Sequence, residues 1–190
     1  MRNLLLCATL IAMSAGPVRA QSSPVDVDHS TLTIRVFKSG LFSGFAHNHE
    51  IAAPLSSGVV DPHAPSVEVR FDARKLTVLD ADAPADDRAK IQETMLSDKV
   101  LDANHFTDIV FRSHRVKPSG ENAYTVEGEL SLHGVAQPLT FPVSLENGRY
   151  KGSVKLKQTG FGITPISLFG GSVKVKDVIE ISFDIALQAK

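Results

Sequence analysis

Residues 122–147, NAYTVEGELSLHGVAQPLTFPVSLEN, decide the fold class, because two strands and the turn between them are legible in one run. Tyr124, Val126, Gly128, Leu130 and Leu132 fall on one parity, with Thr125, Glu127, Glu129, Ser131 and His133 on the other. This is the period-2 alternation of a strand with one face in water. Residues 133–138 read as the turn. Leu139, Phe141, Val143 and Leu145 then alternate with Thr140, Pro142, Ser144 and Glu146. Pro142 on the outer parity predicts an edge or a bulge, since proline cannot donate to a ladder.

Working outward, the alternation recurs in Leu32, Ile34 and Val36, in Phe45, His47, His49 and Ile51, and in Val67, Val69 and Phe71. It returns in residues 109–117, in Tyr150, Gly152, Val154 and Leu156, and in Ile179, Ile181, Phe183, Ile185 and Leu187. That makes about eight strands with polar outer faces. Residues 86–99 alone break the period: Ile91, Met95 and Leu96 have helical spacing, with Asp82 or Asp86 placed to cap the start beside Pro84. The expected fold is all-β, an antiparallel barrel of about eight strands with one short helix, because closure removes exposed edges. A two-sheet sandwich has the same periodicity and remains the rival.

Residues 1–20 have the form of a secretory signal peptide: Arg2, a short apolar run over residues 4–13, and Val18-Arg19-Ala20 as a small-x-small cleavage site. The apolar run is about half the ~20 residues needed to span a bilayer, and no other run is long enough. Export to the periplasm and one mature domain over residues 21–190 are the expectations. The single cysteine, Cys7, lies inside the signal, so the mature chain has no thiol chemistry and no disulfide. Without Arg2 and Arg19 the 20 basic residues become 18 against 21 acidic ones, a net charge near −3. That balance argues against nucleic acid as a partner.

Residues 128–143, GELSLHGVAQPLTFPV, resemble the G-x-L-T-L-H-G-V-T-x-P-V-x-L-x-V signature of the YceI-like, polyisoprenoid-binding proteins, lipocalin-like bacterial barrels usually exported to the periplasm. Asp28-His29-Ser30 before the first strand, residues 102–113 with their Phe111-Arg112-Ser113 ending, and Phe161-Gly162-Ile163 followed by Val175-Lys176-Asp177 agree in order. Gly160 departs from the pattern, since the family tends to carry Asp there. The resemblance implies a barrel holding a long isoprenoid tail, with no enzymatic activity and no cofactor.

An eight-stranded barrel either fills with its own side chains or holds one small ligand. Here there is no Trp, 6% of residues are aromatic, and many inward positions are small, which favours a cavity. Leu32, Ile34, Val36, Ile51, Phe111, Leu130, Leu132, Phe141, Val143 and Phe183 are the expected wall, with Phe45, His47 and His49 on an inward parity. Phe161 and Phe169 belong to a glycine-bounded apolar segment, residues 160–171, which could form a portal, a plug or, third, a contact with a second subunit. His47 and His49, two apart on one strand face, could touch a lipid head, be satisfied by neighbouring groups, or begin a metal site needing a third ligand. No nucleophile-elbow sequence marks a hydrolase. The expected partner is an isoprenoid or other long-chain lipid. A metal-dependent enzyme using His47 and His49 and a filled-barrel scaffold are the alternatives.

Overall fold

His133 and Gly134 both take positive φ, 52° and 73°, the backbone of a type I′ turn whose twist matches its flanking strands. The chain therefore reverses on two residues rather than on the longer 133–138 segment. β7 (Ala123–Leu132) pairs with β8 (Val135–Glu146) in unbroken register from Ala123 opposite Ser144 to Leu132 opposite Val135, so Pro138 lies inside a strand. A Cβ on Gly134 would stand 2.6 Å from the Phe106 ring, a second reason for glycine there.

The computed structural model describes residues 22–39, 48–61 and 64–189. Eight strands close an antiparallel barrel: β1 (Ser23–Ser39), β3 (Leu55–Asp61), β4 (Ser66–Asp72), β6 (Asp108–Gly120), β7, β8, β9 (Arg149–Lys157) and β11 (Val173–Leu187). The ladder between β11 and β1 completes the ring, which settles barrel over sandwich. β2 (His49–Ala52) and β5 (Thr77–Val78) extend the sheet from β1, and β10 (Ser167–Leu168) flanks β11.

Three expectations need correction. The Asp28-His29-Ser30 stretch does not precede the first strand but lies within β1, at an irregularity between Asp26 and Thr31. There the buried Ser30 hydroxyl donates to the Asp26 carbonyl at 2.5 Å and accepts the Ala186 amide at 3.0 Å, bridging the bulge to β11. Beyond Ile51 the chain breaks at Ala53-Pro54 and resumes as β3, whose Ser56-Ser57-Gly58 centre carries no legible alternation. The helix is α1 (Ala85–Leu96), shorter than residues 86–99. Pro84, which has no side-chain acceptor, occupies the cap position, and Asp86 and Asp87 fall in the first turn, where their charge favours the helix dipole.

β1, β4, β7 and β9 finish at the end of the barrel where β3, β6, β8 and β11 begin. α1 sits at this helix end. The Gln92 side chain accepts the Val78 amide and donates to the Leu76 carbonyl, both at 2.8 Å, tying the helix to β5. Across the interior runs a chain of rings, Phe111 to Phe141 at 5.2 Å between centroids and Phe141 to Phe183 at 5.7 Å. Each outer ring lies over a glycine: a Cβ on Gly128 would stand 2.5 Å from Phe111 Cζ and 2.4 Å from the Arg112 carbonyl oxygen, and one on Gly152 2.5 Å from Phe183 Cζ. Aromatic cover over strand glycine restores packing that the missing side chain forfeits. Gly128→Ala should accordingly destabilise the barrel by about 1–3 kcal/mol through overpacking, read as a lower thermal midpoint; an unchanged midpoint would show that the ring and the Arg112 backbone both give way freely.

Candidate functional site

Inward-facing residues of every ring strand surround one cavity of about 620 Å³. Its wall includes Leu32, Ile34 and Val36 of β1, His49 and Ile51 of β2, Phe111 of β6, Leu130 and Leu132 of β7, Phe141 and Val143 of β8, and Phe183 of β11. Each has the inward parity that the sequence predicts for its strand. α1 contributes Ile91, Thr94 and Met95, which cover the helix end. Phe161 is buried at 3% exposure yet lies outside the wall. Phe45, His47 and the side chain of Phe169 lie outside the described residues, as does the expected signal at residues 1–20.

The apolar segment, with its alternatives of portal and plug, divides in two. Its first part is packed: Phe161 and Ile163 are buried, His133 Nδ1 lies 3.1 Å from the Phe161 carbonyl oxygen, and Gln137 Nε2 donates to the Gly160 carbonyl at 3.0 Å. Its second part is a lip, with Ile166 half-buried and Leu168 50% exposed, both on the cavity wall. Gly160 is exposed with nothing within 4 Å of a would-be Cβ, so no neighbour takes up the place of the Asp that the family tends to carry.

Polar groups are sparse and sit at the two ends. At the helix end, His49 Nδ1 lies 2.6 Å from Asp80 Oδ2, and Asp80 Oδ1 accepts the Glu50 amide at 2.8 Å. The Asp80 side chain is only 3% exposed. A carboxylate can only accept, so His49 Nδ1 carries the proton and, in the neutral ring, Nε2 is an acceptor. Through Nε2 the neutral His49 ring can take a hydrogen bond from a ligand hydroxyl, and it donates to a carbonyl only as imidazolium. Sequence reasoning missed Asp80, which follows β5 with no periodicity to mark it. At the opposite end Tyr124 and Tyr150 reach the wall, and burial, reinforced by Tyr124, pushes the Tyr150 phenol up. Among the described residues no group of three or more His, Cys, Asp or Glu is placed to hold a metal ion, and no helix is long and apolar enough to cross a membrane.

A family model described as a YceI-like domain matches residues 24–187. A UPF0312 protein of Pseudomonas putida (strain W619) is 38% identical over 64 residues, 34% of this chain and 33% of the relative's length. A UPF0312 protein of Vibrio vulnificus (strain YJ016) is 25% identical over 144 residues, 74% of this chain and 72% of the relative's. The chain thus spans about a third of the Pseudomonas relative. The crystal structure of Burkholderia cenocepacia BcnA superposes with a TM-score of 0.64 at 20% identity, over 87% of this chain and 99% of that one, a likeness of fold.

The turn that leads into the 160–171 segment, Gln158–Phe161, is pinned to β11 by a carboxylate. Asp177 accepts the Thr159 amide at 2.9 Å and the Thr159 hydroxyl at 2.8 Å. The amide first, then the hydroxyl, hold its carboxyl below the ordinary value of 3.8. A carboxyl depressed in the folded state stabilises at pH above its unfolded value and loses that contribution as pH falls through the folded one. Hydrogen exchange should therefore show the Thr159 amide protected at neutral pH and losing protection as pH falls below the ordinary 3.8, with Asp177→Ala unprotected throughout. Equal protection of the Thr159 amide in wild type and Asp177→Ala at neutral pH would contradict this role.

Proposed function

The chain belongs to the YceI-like family, and from that premise we propose that it is an exported, non-enzymatic lipid-binding protein that sequesters or carries a long-chain isoprenoid or similar amphiphile in its barrel. The single observation that carries the proposal is the cavity: about 620 Å³, walled mostly by Val, Leu, Ile and Phe. This is within the ~300–1,000 Å³ of small-molecule sites. Burial at ~25 cal/mol per Å² gives a tail most of its affinity without polar contacts. Residues 1–20 read as a secretory signal, which supports a site of action in the periplasm.

Mass spectrometry of an organic extract of the protein, purified in its exported form, should yield a long-chain isoprenoid or related lipid, and N-terminal sequencing should begin at Gln21. Val143→Asp, which puts an unpaired charge into the wall at an 8% exposed position, should abolish retention or folding. His49→Phe removes the head contact and, with it, the partner of Asp80: in the folded variant, affinity for a polyprenol should weaken while affinity for the headless hydrocarbon stays unchanged. No extractable lipid, together with no uptake of lipophilic probes by the folded protein, would overturn the proposal.

A further inference from the structure

The cavity wall is charged at its ends, and its charges are not mixed. Four lysines contribute to it: Lys38, Lys90, Lys99 and Lys174. All four belong to the helix end. Lys38 is near the finish of β1, Lys174 near the start of β11 and opposite Ser39, Lys90 is on α1, and Lys99 is in the turn that follows α1. The one acidic residue in the wall among the described residues is Asp61, at the finish of β3 and so at the opposite end. Lys90 is bridged to Asp87 at 3.3 Å, both exposed. Among the described residues Lys99 and Lys174 make no ion pair within 4.0 Å. The whole chain carries a formal charge of −1, so four lysines in the wall at one mouth do not follow from composition, even with Asp80, bonded to His49, and Asp87, bridged to Lys90, behind them. His49 stands in the same region, paired with Val36.

We infer that the helix end of the cavity is a basic mouth that selects lipids with an anionic head, a phosphate or a carboxylate, over neutral-headed lipids with the same tail. The inference rests on the proposed lipid-binding function and specifies the head that the function would accept. The tail enters the apolar barrel, where burial is indifferent to the head, and the head stops at the helix end, where ammonium groups meet it in a partly dry setting. One-signed charge at the mouth of a low-dielectric cleft focuses the field there and raises the local concentration of an anion. Leu168, 50% exposed on the same rim, offers the first methylenes of the tail an apolar contact beside the head. The opposite end has Asp61, Ser66, Tyr124 and Tyr150 in its wall and, among the described residues, no lysine or arginine, so the ligand is oriented with its head at α1.

The test uses the mature protein freed of lipid and two probes with one tail, geranylgeranyl phosphate and geranylgeraniol. Wild type should bind the phosphate about tenfold more tightly, the sum of several partly exposed ion pairs. The advantage should shrink with added salt. In Lys90→Gln/Lys99→Gln/Lys174→Gln the advantage, read as the ratio of the two affinities within the variant, should vanish. A control with the same charge change away from the wall, Lys117→Gln/Lys151→Gln/Lys155→Gln, should keep it. Inorganic phosphate at millimolar concentration should not displace the lipid phosphate, which separates a lipid head from a free anion as the ligand. Equal affinity for the two probes in wild type, or a phosphate preference that survives the triple substitution, overturns the inference and leaves the lipid-binding reading standing. Failure of both probes to bind overturns the lipid-binding reading itself.

Discussion

An antiparallel sheet of eight strands escapes its exposed edges only if its first and last strands meet, and in this chain that meeting is the ladder between β1 and β11. It is the constraint on which the cavity depends. β1 is 17 residues long and must pair with β11 along one side while serving β2 and β3 on the other. A straight strand cannot follow the curvature of a small barrel over that length. The irregularity between Asp26 and Thr31 supplies the bend, and Ser30 replaces part of the interrupted ladder by bonding to Asp26 and Ala186. A similar substitution occurs where β6 shifts register after Ser113, whose hydroxyl oxygen accepts the Val67 amide at 2.8 Å. Two serines in the family-like stretches thus serve the curvature of the wall.

Closure alone would leave the interior free to fill. What keeps it open is the distribution of bulk: the large rings, Phe111, Phe141 and Phe183, are linked in one chain, with glycines beneath the outer two. Much of the remaining wall is aliphatic. A ring anchored over its own strand's neighbour cannot also reach across the barrel, so space remains between it and the far wall. The same packing that stabilises the sheet therefore preserves the void.

Much of this is legible in the sequence because a one-sided strand writes its geometry in alternating residues. Tyr124, Val126, Leu130 and Leu132 and their counterparts on β1, β4, β8, β9 and β11 reach the cavity as their parity requires. What parity could not carry is of two kinds. β3 has Ser56, Ser57 and Gly58 at its centre, with Val25 packed where a Gly58 Cβ would be, so its inward face is made by a neighbour's side chain rather than its own. The polar features of the helix end, Asp80 beside His49 and Lys174 on the wall, come from short segments and strand ends, where twist overrides alternation. Lys174 sits on the even positions of β11 while its apolar wall residues are odd, and no pattern in sequence turns it inward.

The reading of Pro142 as an edge residue has a more exact outcome. β8 is interior to the ring, yet its ladder to β9 runs only from Val143–Gly152 to Glu146–Arg149. The β7 ladder passes through Pro138 and Pro142 without a break, so the side on which these prolines lack an amide hydrogen is the β9 side. Two prolines four apart in an extended strand withdraw donors from the same side, and the β9 ladder stops where they begin. What takes its place is the turn at Gln158–Phe161, held to the β7–β8 hairpin by His133 and Gln137 rather than by a ladder. A few side-chain hydrogen bonds open more readily than a continuous ladder. The ladder is thus interrupted between the first half of β8 and the last half of β9, beside Ile163 and next to the helix end, where Pro138 and Pro142 withhold the donors that it would need.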